Sequence, residues 1–98
     1  MNITKTMNEK TLTLALEGRL DTVTSPELEA ELKASMDGAD SLILDFGKLD
    51  YISSAGLRVL LSAHKAMSAK GGMKVKNVNE IVREVFDVTG FADILTIE

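Results

Sequence analysis

The 98-residue chain contains no cysteine, so disulfides, thiolate zinc sites and cysteine nucleophiles are excluded together. Nothing points to an oxidising compartment. Tryptophan is also missing and aromatic residues reach only 4%, which leaves Leu, Ile, Val, Ala and Met to fill a core. The single histidine, His64, restricts imidazole chemistry to one position. No apolar run approaches the ~20 residues of a membrane-spanning helix. The opening "MNITKTMNEK" lacks the apolar stretch of a signal peptide. Basic residues are outnumbered, 11 against 15 acidic ones, for a formal net charge of -4. Nucleic-acid binding needs Lys and Arg to neutralise phosphates, so this balance argues against it. The expectation is a cytoplasmic, soluble protein without membrane insertion and without direct nucleic-acid contact.

What is present suits one ordinary globular domain: 45% hydrophobic and 27% charged residues in a chain too short for two. "TLTLALEG" (11–18) alternates polar and apolar residues, the period of a half-buried strand. "MNITKTM" supplies a partner strand, with Asn8-Glu9-Lys10 as the turn. The period then changes: Leu28, Leu32 and Met36 recur every four residues behind Pro26, which fits a helix's first turn. Thr24 or Ser25 can cap this helix, Thr24 forming a capping box with Glu27, and Gly38 ends it. "SLILDF" (41–46) reads as a strand buried on both faces, followed by a turn at "GKLD" and a short extension at "YIS". A helix opens near Ser54 with Leu57, Leu60, Leu61, His64 and Met67 at helical spacing, and Gly71-Gly72 closes it. "MKVKNV" (73–78) reads as a strand parallel to 41–46. A helix capped by Asn79 and stopped by Gly90 follows, and "FADILTIE" forms a final strand or a turn of helix. The order is ββαβαβα plus a tail. Right-handed strand–helix–strand crossovers then place the helices on one side of a mixed sheet.

Few residues offer chemistry. Ser54 and His64 lie ten residues apart on one predicted helix. That spacing separates them by ~15 Å, far beyond the ~3 Å a nucleophile and its base require. "SSAG" also lacks the G-x-S-x-G elbow of a hydrolase serine. Acidic residues are not set at metal-ligand spacing, and no phosphate-binding glycine loop occurs. The chain is therefore expected to be no enzyme and to need no cofactor or metal. Ser54 stands out for another reason. It is either a helix cap or a hydroxyl offered for modification at a helix start, where an added phosphate of about −1.5 to −2 charge is well tolerated.

"LILDFGKLDYISSAGLRVLLSAHKAM" resembles the central segment of STAS domains. "LEGRLDTVTSPELEAEL" and "GGMKVKNVNEIVREVFDVTGF" resemble that family's first loop and helix and its closing strand and helix. Across nearly its full length the chain looks like a stand-alone bacterial anti-sigma factor antagonist. The resemblance implies an α/β fold: one STAS-like domain over 1–98, with a four- or five-stranded mixed sheet and helices packed on one side. It also implies partner switching. The unphosphorylated form binds an anti-sigma factor with serine kinase activity and thereby frees a sigma factor for transcription. Phosphorylation ends the binding, and a PP2C-type phosphatase resets it. The acceptor position, two residues before the motif glycine, is Ser54 here, with Ser53 as second choice. Many antagonists carry Asp where this chain has Ser53. Asp21 matches a family position near the acceptor that contacts the kinase. Thr22, Ser53, Gly56, Leu57 and Arg58 are expected to share the partner surface, Leu57 being equally compatible with a core position. STAS domains also serve as regulatory subunits or scaffolds of membrane transport and stress-signalling complexes, which is the alternative role.

Overall fold

Alternation along the second strand sets the architecture. The computed structural model describes all residues, Met1–Glu98. β1 (Asn2–Asn8) and β2 (Thr11–Leu20) form an antiparallel hairpin, with Glu9 in the left-handed region at its turn (φ 59°). α1 (Ser25–Ser35), β3 (Ser41–Ile52), α2 (Ser54–Ser68), β4 (Met73–Lys76), α3 (Glu80–Thr89) and β5 (Thr96–Ile97) follow. The five strands pair in the order β1-β2-β3-β4-β5, all parallel after the first hairpin, so the sheet is mixed. The tail contributes both of its expected alternatives, a 3-10 turn at Phe91–Asp93 and then β5.

Leu12, Leu14 and Leu16 of β2 point to the same face as Leu42, Leu44 and Phe46 of β3. Leu28 and Leu32 of α1, Leu60, Ala63 and Met67 of α2, and Val82 and Phe86 of α3 close over them in one cluster. The Phe46 and Phe86 rings lie 6.4 Å apart, tying α3 to the sheet. Because all three helices share that face, the opposite face stays half open, with Thr11, Thr13, Ile43 and Asp45 only partly covered. The expectation that 41–46 is buried on both faces is thereby corrected.

A second correction concerns "GKLD". It does not turn the chain; β3 runs through it to Ile52. The register against β2 shifts between Ala15 and Glu17 and again between Gly18 and Arg19, β3 carrying an extra residue each time. Bulges of this kind let turn-prone residues sit within a strand and increase its twist. Asp45 fixes the first one by accepting a hydrogen bond from the Gly47 amide at 2.9 Å.

Both helix ends beside the first crossover depart from their expected form. α1 stops at Ser35 and tightens into a 3-10 turn, Met36–Gly38, in which Gly38 has no left-handed backbone. Lys70, just beyond α2, donates from Nζ to the carbonyls of Met36 (2.9 Å) and Ala39 (3.0 Å) and so ties the two helix ends together. The core stripe of α2 is also rotated: Val59 and Ala63 are buried, whereas Leu61 and His64 are only half covered. By contrast Asn79 caps α3 through Oδ1, which accepts from the Val82 amide at 2.8 Å, and Gly90 ends it at φ 83°.

Candidate functional site at the start of α2

The site is built where two parallel strands end. Ile52, the last residue of β3, is buried, and the next amide, Ser53 N–H, donates to the Leu20 carbonyl at 2.9 Å. Ser53 therefore keeps extended backbone (φ −101°, ψ 176°), the geometry an N-cap needs. Its Oγ accepts from the Gly56 amide at 3.5 Å, a long cap bond. Ser54 is the first helical residue, exposed, with a hydroxyl that makes no hydrogen bond within the chain. The capping role considered for Ser54 thus belongs to Ser53, because the helix begins one residue after the strand has released the chain.

Gly56 explains how close the helix comes. A Cβ at this position would stand 2.8 Å from both Leu20 Cγ and Ile52 Cγ1. The first turn of α2 rests directly on the two strand ends with no side chain between. Leu57 is 6% exposed and belongs to the core. Gly56 and Leu57, expected on the partner surface, are both buried, Leu57 taking the core position that was its alternative, so any part they have in that surface is from beneath.

The neighbouring β2–α1 loop is organised by Asp21. Its Oδ1 accepts from the amides of Val23 (3.0 Å) and Thr24 (3.1 Å). Thr24 Oγ1 in turn accepts from the Asp21 amide at 2.9 Å and donates to the Arg19 carbonyl at 2.7 Å. Thr24 occupies the N-cap position but makes no capping bond, since its hydroxyl is spent on this reciprocal turn. The capping box with Glu27 is therefore not formed. Asp21 titrates below its ordinary value near 3.8, chiefly because the Thr24 amide donates to it. Partial desolvation opposes that; the Val23 amide, the Thr24 hydroxyl and the Arg19 charge reinforce it. Arg19 lies 3.8 Å from Asp21 Oδ2 and stacks over the Tyr51 ring at 4.6 Å. These two side chains are cross-strand neighbours that the sequence reading missed; only the bulged register, which pairs Arg19 with Tyr51, reveals them.

Between the starts of α1 and α2 lies an open cleft of about 230 Å³ lined by Thr22, Ser25, Pro26, Glu29, Ala55, Arg58 and Val59. Thr22 and Arg58 are both exposed here, and Glu29 is held by Lys33 at 3.5 Å. Ser54 adjoins the cleft through Ala55. The structure thus gathers Asp21, Thr22, Ser53, Ser54 and Arg58 at one end of the domain. A larger hollow of about 380 Å³ lies elsewhere, lined by residues including Thr4, Glu17, Asp45, Lys48 and Asn77. Asp45 there is held below its ordinary value mainly by the Asn77 side-chain amide. Nothing in that hollow supplies a hydroxyl at a helix start. His64 is half-buried further along α2, with no partner for Nδ1.

This arrangement, a serine pair and glycine at the hand-over from a bulged central strand to a helix, accompanies a clear family match. The model of the STAS domain family matches residues 2–98, and the chain belongs to that family. BtrV of Bordetella bronchiseptica, assigned as an anti-sigma factor antagonist, is 39% identical over 99 residues, covering 99% of this chain and 85% of its own. The anti-sigma-B factor antagonist of Bacillus subtilis is 28% identical, covering 99% of this chain and 90% of its own. An anti-sigma factor antagonist from Mycobacterium paratuberculosis has the same fold, with a TM-score of 0.89 at 21% identity over 98% of this chain and 83% of that one. No helix is long and apolar enough to cross a membrane.

Two predictions follow from the hydrogen bonds. Ser53→Ala removes a cap and should lower stability by about 0.5–1 kcal/mol in urea unfolding, the low end for such a change because the bond is long. Ser54→Ala should stay within about 0.5 kcal/mol of the parent; the reverse order would contradict the cap assignment. For Asp21, the folded carboxylate titrates below its unfolded value, so its contribution is complete above that value and is lost as pH falls through the folded one. A carboxyl NMR titration should place the Asp21 midpoint below 3.8. Asp21→Asn should flatten the acid-side loss of stability as pH falls through and below 3.8. A midpoint at or above the ordinary value would show that the turn does not hold the charge.

Proposed function

We propose that this chain is an anti-sigma factor antagonist that works by partner switching in the cytoplasm. In its unphosphorylated form it binds an anti-sigma factor with serine kinase activity, and phosphorylation of Ser54 ends that binding. The Ser54 oxygen attacks the γ-phosphorus of ATP held by the kinase, the bond to ADP breaks, and the serine proton passes to a base of the kinase. A PP2C-type phosphatase returns the hydroxyl by directing water onto the phosphorus, which releases inorganic phosphate. The domain itself carries out no catalysis and brings no cofactor.

The observation that carries this reading is the division of labour between adjacent serines. Ser53 provides the cap, while Ser54 is exposed with its hydroxyl uncommitted. A dianion at the first helical position is favoured by the free amides and dipole of the helix start, typically by about 0.3–1 kcal/mol. The fold should therefore accept it, and the effect falls on the surface formed with Asp21, Thr22, Ser53 and Arg58. Shifting a partner from mostly bound to mostly free takes about 3–5 kcal/mol. Desolvating a dianion against a packed interface is costly enough to supply that. The antagonist names of BtrV and of the Bacillus subtilis relative support the same role.

The test is peptide mapping after incubation with ATP and an anti-sigma factor of the serine-kinase type that binds this chain. One phosphate is expected on the peptide holding both serines, retained in Ser53→Ala and lost in Ser54→Ala. Phosphate on Ser53, or none at all, overturns the proposal.

A further inference from the structure

Resting on the reading of Ser54 as the phosphate acceptor, we propose that Arg58 is the receptor for that phosphate within the same chain. Arg58 follows Ser54 by one helical turn, and residues at this spacing are surface neighbours about 5–6 Å apart at Cβ. Long side chains on a helix lean over the turn that precedes them, which for Arg58 is the turn holding Ser54 and Ala55. The cleft lining agrees, since Arg58 shares it with Ala55 of that turn and with Thr22 and Pro26 of the facing loop and helix.

What singles out Arg58 is that its guanidinium is uncommitted. Of the three arginines, Arg19 and Arg83 each lie within ion-pair distance of a carboxylate; Arg58 pairs with none and is exposed. Glu29, the carboxylate in the same cleft, is already engaged by Lys33 at 3.5 Å. Of the Asp21 carboxylate, Oδ1 is taken up by its own loop and Oδ2 faces Arg19 at 3.8 Å. A planar fork of donors matched to phosphate therefore stands one turn from the acceptor hydroxyl. The polarity also fits, because an acidic group N-terminal to a basic one is the better order along a helix.

Two consequences follow. The phosphate is drawn along α2 toward the cleft between α1 and α2, and it neutralises a cation that the unmodified chain offers to a partner's carboxylates. Phosphorylation then changes the surface twice, by adding a dianion and by withdrawing an arginine. A Ser54→Asp substitution reproduces neither fully, since a single short carboxylate has less charge and less reach.

The test installs phosphoserine at position 54 during synthesis, in the full chain, and needs no kinase. Phosphorus NMR follows the second ionisation of the phosphate with Arg58 present and in Arg58→Gln, while nitrogen-15 spectra follow the Arg58 Nε–H signal. The midpoint with Arg58 should lie below that of Arg58→Gln by about 0.15–0.4 pH unit. The Nε–H signal should shift with the same midpoint. Equal midpoints together with an unmoved Nε–H overturn the proposal. Failure of the kinase to modify Ser54 would remove the switching role and leave this result standing, so the two ideas fail separately.

Discussion

The contact on which this end of the molecule depends is the seating of α2 on the ends of β2 and β3. Gly56 meets Leu20 and Ile52 so closely that even a methyl group would stand at 2.8 Å from each. That contact fixes where the helix begins. The Ser53 amide is held by the Leu20 carbonyl, so Ser53 must stay extended, and only the next residue can enter the helix. Ser54 is exposed because its neighbours on both sides are constrained. A one-residue shift of the helix start would place a different hydroxyl outward.

The same contact separates the residues that seat the helix from those left at the surface. Cap, glycine and core leucine lie on the inner side of the first turn, whereas Ser54, Arg58 and Thr22 lie outside it. The Asp21 turn next to them is rigid through side-chain bonds within the loop and draws nothing from Ser54. Charge added at Ser54 therefore alters a surface while leaving the core contacts untouched. This is the property that the proposed phosphorylation of Ser54 requires.

Much of the architecture was legible from periodicity, and what escaped was register. Alternation at Leu12, Leu14 and Leu16 announced β2, and Asn79 and Gly90 marked both ends of α3 through local chemistry alone. "GKLD" was misread because a bulge and a turn use the same residues, and only pairing with β2 tells them apart. The serine pair posed the same problem on a smaller scale: Ser54 was weighed as the cap, and Ser53 takes that place because a distant carbonyl, that of Leu20, holds the chain extended up to it. Thr24 carried the local signature of a cap, yet a backbone carbonyl five residues back claimed its hydroxyl. The inward positions of Gly56 and Leu57 and the stack of Arg19 on Tyr51 are likewise tertiary facts that no short motif spells out.

The central claim is that position 54 can gain a dianion without cost to the fold. Urea unfolding and amide hydrogen exchange of the chain carrying phosphoserine 54, set beside the unmodified chain, measure this directly. The account predicts an unfolding midpoint equal to or above that of the parent and undiminished protection in the first turns of α2. A clearly lower midpoint with accelerated exchange through Leu57 and Leu60 would show that the phosphate unseats the helix, and would contradict it.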